Sequence, residues 1–243
     1  MAQRVALITG GSRGIGLEIA RVLADEGYAL TLTARRAEAL EEAAAALRAG
    51  GAQVHTVTGD LVEEAAIVEI VSSHRERYGR LDVLVNNAGL GAGAPATEHR
   101  TKLLDLQLAV NLRAPILLYR ECLPLLLEAG AEHRGARVIN MSSIAGRAGQ
   151  PWISVYSAAK AGLVAYTEAM NKEFSTQGVI SHALCPFWVD TDMTEFLRDT
   201  VAQEDMLRPE DMAATVRWLL HLSQGTVVPE IVFMRAGDEL GPR

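Results

Sequence analysis

Short apolar runs alternate with helical stretches along the whole chain, and the first junction between them is a glycine-rich turn. Val5-Ala6-Leu7-Ile8 reads as a buried parallel strand that ends in Thr9-Gly10. Gly10-Gly11-Ser12-Arg13-Gly14-Ile15-Gly16 follows, and then a helical pattern over residues 17–26, with Gly27 as its C-cap. A strand that feeds a helix through such a turn leaves few architectures open. Glycine permits the tight turn and a close backbone approach, and the N-terminus of the helix favours a pyrophosphate. On this reading Gly10, Ser12, Arg13, Gly14, Ile15 and Gly16 face a dinucleotide. The alternative is an ordinary glycine loop, because the spacing is GxxxGxG and not GxGxxG.

Residues 30–34 read as the second strand, ending at Arg35-Arg36. In a dinucleotide site an acid at this point accepts from the ribose 2′-hydroxyl of NAD. No acid stands here. Two guanidiniums suit a 2′-phosphate, which Arg grips with a planar fork, and Arg13 could add a third cation. NADP(H) is therefore expected in preference to NAD(H); the alternative is a solvated pair opening the next helix. That helix covers 37–49 and closes at Gly50-Gly51. A third strand over 53–57 leads to Asp60-Leu61, where Asp60 either meets the adenine edge or caps the helix predicted over 62–78. A fourth strand, 83–85, ends in Asn86-Asn87-Ala88-Gly89, whose small residues allow a cofactor close to the backbone. The loop over 90–95 is a candidate pocket wall.

Residues 101–129 read as mostly helical, with Pro115 inside. Pro115 has no N–H for the carbonyl of Asn111, so a bend is predicted there. The freed carbonyl can hold a water, or the bend is simply a structural kink. A fifth strand over 137–141 runs into Ser142-Ser143, and Ser143 sits at the strand end on the side where such sheets bind ligands. No G-x-S-x-G elbow surrounds it, so it reads as a hydroxyl donor and not as a nucleophile.

Tyr156-Ser157-Ala158-Ala159-Lys160 opens the next helix, over 156–174. Tyr156 and Lys160 are four apart, one turn along the same face. An ammonium beside a phenol favours the phenolate and lowers its pKa, which makes the phenol a usable acid or base; taken alone, the pair is equally a surface Lys and a half-buried Tyr on an amphipathic helix, and the other motifs along the chain favour the first reading. Residues 179–184 form a sixth strand and 226–233 a seventh, in which Pro229 suits an edge or an end. Between them a short helix or lid is expected over 195–206, within a substrate lid near 193–208, and a last helix from Arg208-Pro209 to about Leu222. Gln150, Trp152, Phe187, Trp188, Met193 and Phe196 suggest a largely apolar pocket.

There is no internal repeat or linker, so the chain reads as one doubly wound α/β domain with its polar motifs on a single rim. Its 243 residues, 49% of them hydrophobic, suffice for one sizeable core. No apolar run of 18 residues exists to span a membrane. A net charge of −7 argues against a nucleic-acid surface. Two unrelated cysteines imply no disulfide framework, no ligand cluster suggests a metal, and no leader precedes the first strand, so a cytoplasmic protein is expected.

These motifs, in this order and spacing from about Val5 to Met193, resemble the short-chain dehydrogenase/reductase family, and within it the 3-oxoacyl-carrier-protein reductase type. The resemblance implies a seven-stranded parallel Rossmann sheet in a single domain and NAD(P)-dependent carbonyl or alcohol chemistry. It implies that Tyr156 is the acid/base and that Lys160 bonds the nicotinamide ribose and lowers the Tyr156 pKa. Ser143 polarises the substrate carbonyl, and Asn111 holds a water that links Lys160 to solvent. Asp60 and Leu61 contact the adenine side, Asn87, Ala88 and Gly89 line the cofactor, and Pro186, Val189 and Thr191 hold the carboxamide end. A homodimer or homotetramer is implied. A different class, a non-catalytic NADP(H)-binding regulator on the same fold, is the alternative. Two positions depart from the family pattern. Phe187 stands where Gly is usual, which implies strain if φ is positive there, or a shifted loop that narrows the site. Met234-Arg235-Ala236-Gly237 replaces the usual glycine pair after the last strand, which leaves tetramer contacts at that end in question.

Overall fold

The computed structural model describes residues 3–132, 135–199 and 201–238. Seven strands form one parallel sheet: β1 (Val5–Thr9), β2 (Ala29–Ala34), β3 (Val54–Thr58), β4 (Val83–Asn86), β5 (Ala136–Met141), β6 (Val179–Pro186) and β7 (Glu230–Phe233). Their spatial order is β3-β2-β1-β4-β5-β6-β7, so the order reverses between β1 and β4. In open α/β sheets that reversal opens a crevice at the C-terminal strand ends.

Alternation along each strand sends side chains to two apolar layers. Ala6 and Ile8 of β1 pack under α1 (Gly14–Asp25), α2 (Ala37–Ala49) and α7 (Pro209–Leu220). Leu7 points the other way, under α3 (Glu64–Tyr78) and α5 (Ala114–Gly130). α4 (Thr101–Leu108) and α6 (Ser154–Phe174) complete the second layer. The buried strands are nearly continuous in Val, Ile, Leu and Ala, as a sheet covered on both faces requires.

Three regions differ from the sequence expectation. The 101–129 helix breaks into α4 and α5, joined by a π turn over Ala109–Arg113 that carries Asn111, so the predicted bend is an extra-residue bulge. The last strand is half its expected length. The Val228 carbonyl is taken by the His182 imidazole at 2.7 Å, and the ladder to β6 begins only with the Pro229 carbonyl, which accepts from Ala183 N–H. No continuous helix covers 195–206. Two 3₁₀ turns, Asp192–Leu197 and Gln203–Asp205, stand there, and Thr200 lies outside the described residues. The first turn is held by Thr191 and Thr194, which cap each other's backbone.

Candidate active site

The C-terminal strand ends bring the polar motifs together. Gly10 and Gly14 take positive φ, 65° and 53°, in the turn that leads from β1 into α1. Gly16 is glycine for a different reason: a Cβ there would stand 2.3 Å from the Gly10 carbonyl oxygen and 2.5 Å from the Asn87 amide nitrogen. No side chain caps the N-terminus of α1 and no acid lies in its first turn, so its N–H groups are free for an anion.

The turn is tied to β4 across the switch point. The Thr9 hydroxyl accepts from the N–H groups of Asn87 and Ala88, each at 3.0 Å, and Asn87 Nδ2 donates to the Thr9 carbonyl at 3.0 Å. One strand further on, Asn86 Nδ2 donates to Asn140 Oδ1 at 2.8 Å, and Asn140 Nδ2 donates to the Thr167 hydroxyl at 2.9 Å. These buried bonds lock β1, β4, β5 and α6 in register under the site.

Arg35 and Arg36 are both exposed at the end of β2, and neither makes an ion pair among the described residues. Arg13, expected beside them, is instead held by Asp192 in an ion pair. Its guanidinium therefore bridges the glycine turn to the 3₁₀ turn after β6. The same two segments touch where a Cβ on Gly14 would lie 3.3 Å from Thr191 Cγ2. Asp60 does not cap α3, whose N-cap is Glu63; its Oδ1 accepts from Val62 N–H at 3.1 Å in a local turn, and Leu61 is buried beside it. Val189 is buried in a single bridge to Leu207, and Pro186 ends β6 opposite Phe233.

Asn111 is fully buried in the π turn, and its side chain grips the loop after β4. Its Oδ1 accepts from Leu90 N–H at 3.0 Å, and its Nδ2 donates to the Leu90 carbonyl at 2.7 Å. A Cβ on Gly89 would meet that Oδ1 at 3.1 Å and Lys160 Nζ at 3.6 Å, so Gly89, Asn111 and Lys160 converge. Lys160 is 3% exposed. Its ammonium donates to the Met141 carbonyl at 2.7 Å and lies 5.5 Å from the Tyr156 ring centroid. Burial holds its pKa down to about 8. Tyr156 is half-buried, and Ser143 stands close enough to its hydroxyl to favour the phenolate. Ser143 also accepts from Ala145 N–H at 3.2 Å, which caps the short turn after β5.

The phenol departs from expectation. Its pKa is pushed up to about 12, because burial outweighs the opposing influence of the Ser143 hydroxyl. Phe187 carries no strain: Trp152, at φ 69°, is the single non-glycine residue with positive φ among the described residues.

A cavity of about 320 Å³ opens beside Val155, lined by Gly93, His99, Leu104, Gln107 and Trp152 among others. Of the apolar residues expected in a pocket, only Trp152 lines it; Met193 and Phe196 are exposed on the 3₁₀ turn. Trp152 lies against Gly93, where a Cβ would meet its ring at 2.4 Å, and its carbonyl accepts from Ala94 N–H at 2.8 Å. Gln107 escaped sequence reasoning. Its Oε1 accepts from Ala92 N–H at 3.3 Å and steadies the cavity wall. Only its buried place on α4, one turn before Asn111, hints at this.

A glycine cradle at the switch point of a doubly wound parallel sheet is the architecture of dinucleotide-binding oxidoreductases. Comparison with known proteins narrows that class. The chain belongs to the short-chain dehydrogenase family, whose model, described as short chain dehydrogenase, matches residues 4–202. It is 33% identical over 227 residues to a 3-oxoacyl-(acyl-carrier-protein) reductase of Synechocystis sp., covering 90% of each chain. It is 32% identical over 208 residues to a 2-dehydro-3-deoxy-L-rhamnonate dehydrogenase (NAD(+)) of Sphingomonas sp., covering 85% of this chain and 80% of that one. Among solved structures it resembles a variant of actinorhodin polyketide ketoreductase with NADPH, at a TM-score of 0.87 and 32% identity over 96% of this chain and 97% of the other.

Proposed function

We propose that this protein reduces a carbonyl compound (a ketone, an aldehyde or a 3-oxoacyl group) to the alcohol, with NADPH as the reductant and Tyr156 as the proton donor. What supports this reading above all is the gathering of Tyr156, Ser143 and the buried Lys160 ammonium on the rim that also carries the glycine cradle. The cradle of Gly10, Gly14 and Gly16 fits a pyrophosphate at the start of α1. Arg35 and Arg36, free of carboxylates, fit the 2′-phosphate, with Asp60 and Leu61 toward the adenine and Val189 and Thr191 toward the carboxamide.

When bound, the reduced nicotinamide supplies a hydride to the carbonyl carbon. Tyr156 gives its proton to the carbonyl oxygen as charge builds there. A phenol held near pKa 12 is protonated at neutral pH, which is the form an acid needs. Ser143 donates a hydrogen bond to the same oxygen, where the developing charge makes that bond strongest. Lys160 bonds the nicotinamide ribose, and the Asn111 carbonyl, which Pro115 cannot engage, holds a water that passes protons between Lys160 and solvent. The 3-oxoacyl option draws on the Synechocystis relative and the NADPH preference on the ketoreductase structure; the NAD(+) in the Sphingomonas relative's name makes the two arginines the deciding feature.

The test is a panel of carbonyl compounds assayed by NADPH absorbance, with Tyr156→Phe alongside. The variant is expected to keep NADPH binding and lose turnover by about a hundredfold or more. Near-normal turnover in the variant removes Tyr156 from the mechanism.

A further inference from the structure

The two positions at which the chain departs from the family pattern meet in space. The Arg235 guanidinium carbon lies 5.1 Å from the Phe187 ring centroid and 5.3 Å from that of Trp188. The two rings are themselves in contact, with centroids 4.8 Å apart and planes tilted by 40°. Arg235 is fixed from its other side: Nε and Nη2 donate to the two carboxylate oxygens of Asp238 at 2.7 and 3.0 Å, and both side chains are about three-quarters buried. The backbone joins the same assembly, because Phe187 N–H donates to the Phe233 carbonyl at 3.0 Å. The Asp205 carboxylate, in the second 3₁₀ turn, adds its field to that of Asp238. Two segments distant in sequence are thus pinned by one guanidinium: the stretch after β6 and the stretch after β7.

The stretch after β6 flanks the candidate active site. The 3₁₀ turn that continues it faces the loop after β4, where a Cβ on Gly91 would lie 3.9 Å from Met193 Sδ. Val189 and Thr191, one and three residues beyond Trp188, lead to the glycine turn through Gly14. A guanidinium stacked on two aromatic faces fixes their orientation, because a planar cation is attracted to the ring faces and its fork is already committed to a carboxylate.

We propose that Arg235 is a specificity-determining residue. It holds Phe187 and Trp188 as one rigid block past the end of β6, outside the cavity that Trp152 lines, and so limits bulky substituents on the carbonyl compound where they extend beyond that cavity. The proposal rests on the reductase reading given above, and it makes the stretch after β7 part of the substrate site. It also accounts for Phe187 without strain: the side chain that replaces the family's glycine lies over the neighbouring ring and under Arg235, clear of the backbone.

The test compares wild type with Arg235→Ala, Arg235→Lys and Asp238→Asn, using one small aliphatic ketone and one bulky aryl ketone. Arg235→Ala is expected to raise kcat/KM for the bulky ketone relative to the small one by about tenfold. The change should sit in the ketone KM and not in the NADPH KM. Arg235→Lys, which keeps the cation but loses the planar stack, should fall between Arg235→Ala and wild type. Asp238→Asn should move the ratio in the same direction by a smaller amount, and it serves if Arg235→Ala does not fold. An unchanged ratio in all three variants overturns the proposal. If the wild type reduces no carbonyl compound, the reductase reading is what fails, and the clamp is decided separately by fluorescence. In a Trp152→Phe, Trp218→Phe background, acrylamide should quench Trp188 more readily after Arg235→Ala; equal quenching overturns the clamp itself.

Discussion

Replacing Lys160 by Met should abolish turnover and yet make the protein more stable at neutral pH. The ammonium is 3% exposed, and burial lowers its pKa from 10.5 to about 8. Holding it charged at pH 7 therefore costs the folded state about 3 kcal/mol relative to the unfolded chain. Against this stands the bond from the ammonium to the Met141 carbonyl, whose loss costs about 1.5–3 kcal/mol. Met fills a similar volume and adapts its shape, so little packing is lost. The net expectation is a gain of up to about 1.5 kcal/mol at pH 7. The pH dependence has a definite sign. The folded pKa lies below the unfolded one, so between about pH 8 and 10.5 the unfolded chain binds more protons, and wild-type stability from this group rises with pH. Met cannot titrate, so its advantage should shrink across that window and be gone by its upper end. Urea unfolding followed by tryptophan fluorescence at pH 7 and near pH 10 measures both values. A variant less stable than wild type at pH 7, or an advantage that does not change with pH, refutes the reasoning.

Two further predictions concern the cofactor side. Arg35→Ala should weaken NADPH binding by about 10–100-fold, the loss of one charge-assisted contact, and leave NADH nearly unchanged; equal losses in a titration of both remove Arg35 from the 2′-phosphate. Gly16→Ala should destabilise the fold by about 1–3 kcal/mol and weaken binding of both cofactors, since its Cβ meets the Gly10 carbonyl at 2.3 Å. A variant with wild-type melting and cofactor affinity shows that the turn can shift aside.

Much of this architecture was legible in the chain because it is locally encoded. The helix over Ala37–Ala49 follows from its Ala, Leu and Glu content and its closing glycines, and β1, β2, β4, β5 and β6 are apolar runs bounded by turn residues. Even the bulge at Asn111 was foreshadowed, by the missing N–H of Pro115 four residues on. What escaped depended on distant partners. Val227 and Val228 are good strand formers, but His182 on the neighbouring strand claims the Val228 carbonyl. Arg13 stands beside its glycines, but its pairing with Asp192, 179 residues away, is not written in the local sequence. The Tyr156–Lys160 spacing correctly puts both groups together, but spacing carries no information on solvent, and burial sets the phenol's proton affinity. Nothing near Arg235 in the chain announces two aromatic rings beneath it.

The π turn at 109–113 sets the rotational phase between α4 and α5. One residue of an α-helix corresponds to about 100° about its axis. Shortening 109–113 by a single residue would remove the bulge, leaving only the bond missing at Pro115, and swing all of α4 around by that angle. Gln107 would leave Ala92, and Leu103 and Leu104 would turn away from the cavity, while the sheet beneath kept its register. The shape of the cavity thus hangs on one surplus residue, and insertions or deletions there are a cheap route by which such a chain could exchange one pocket for another.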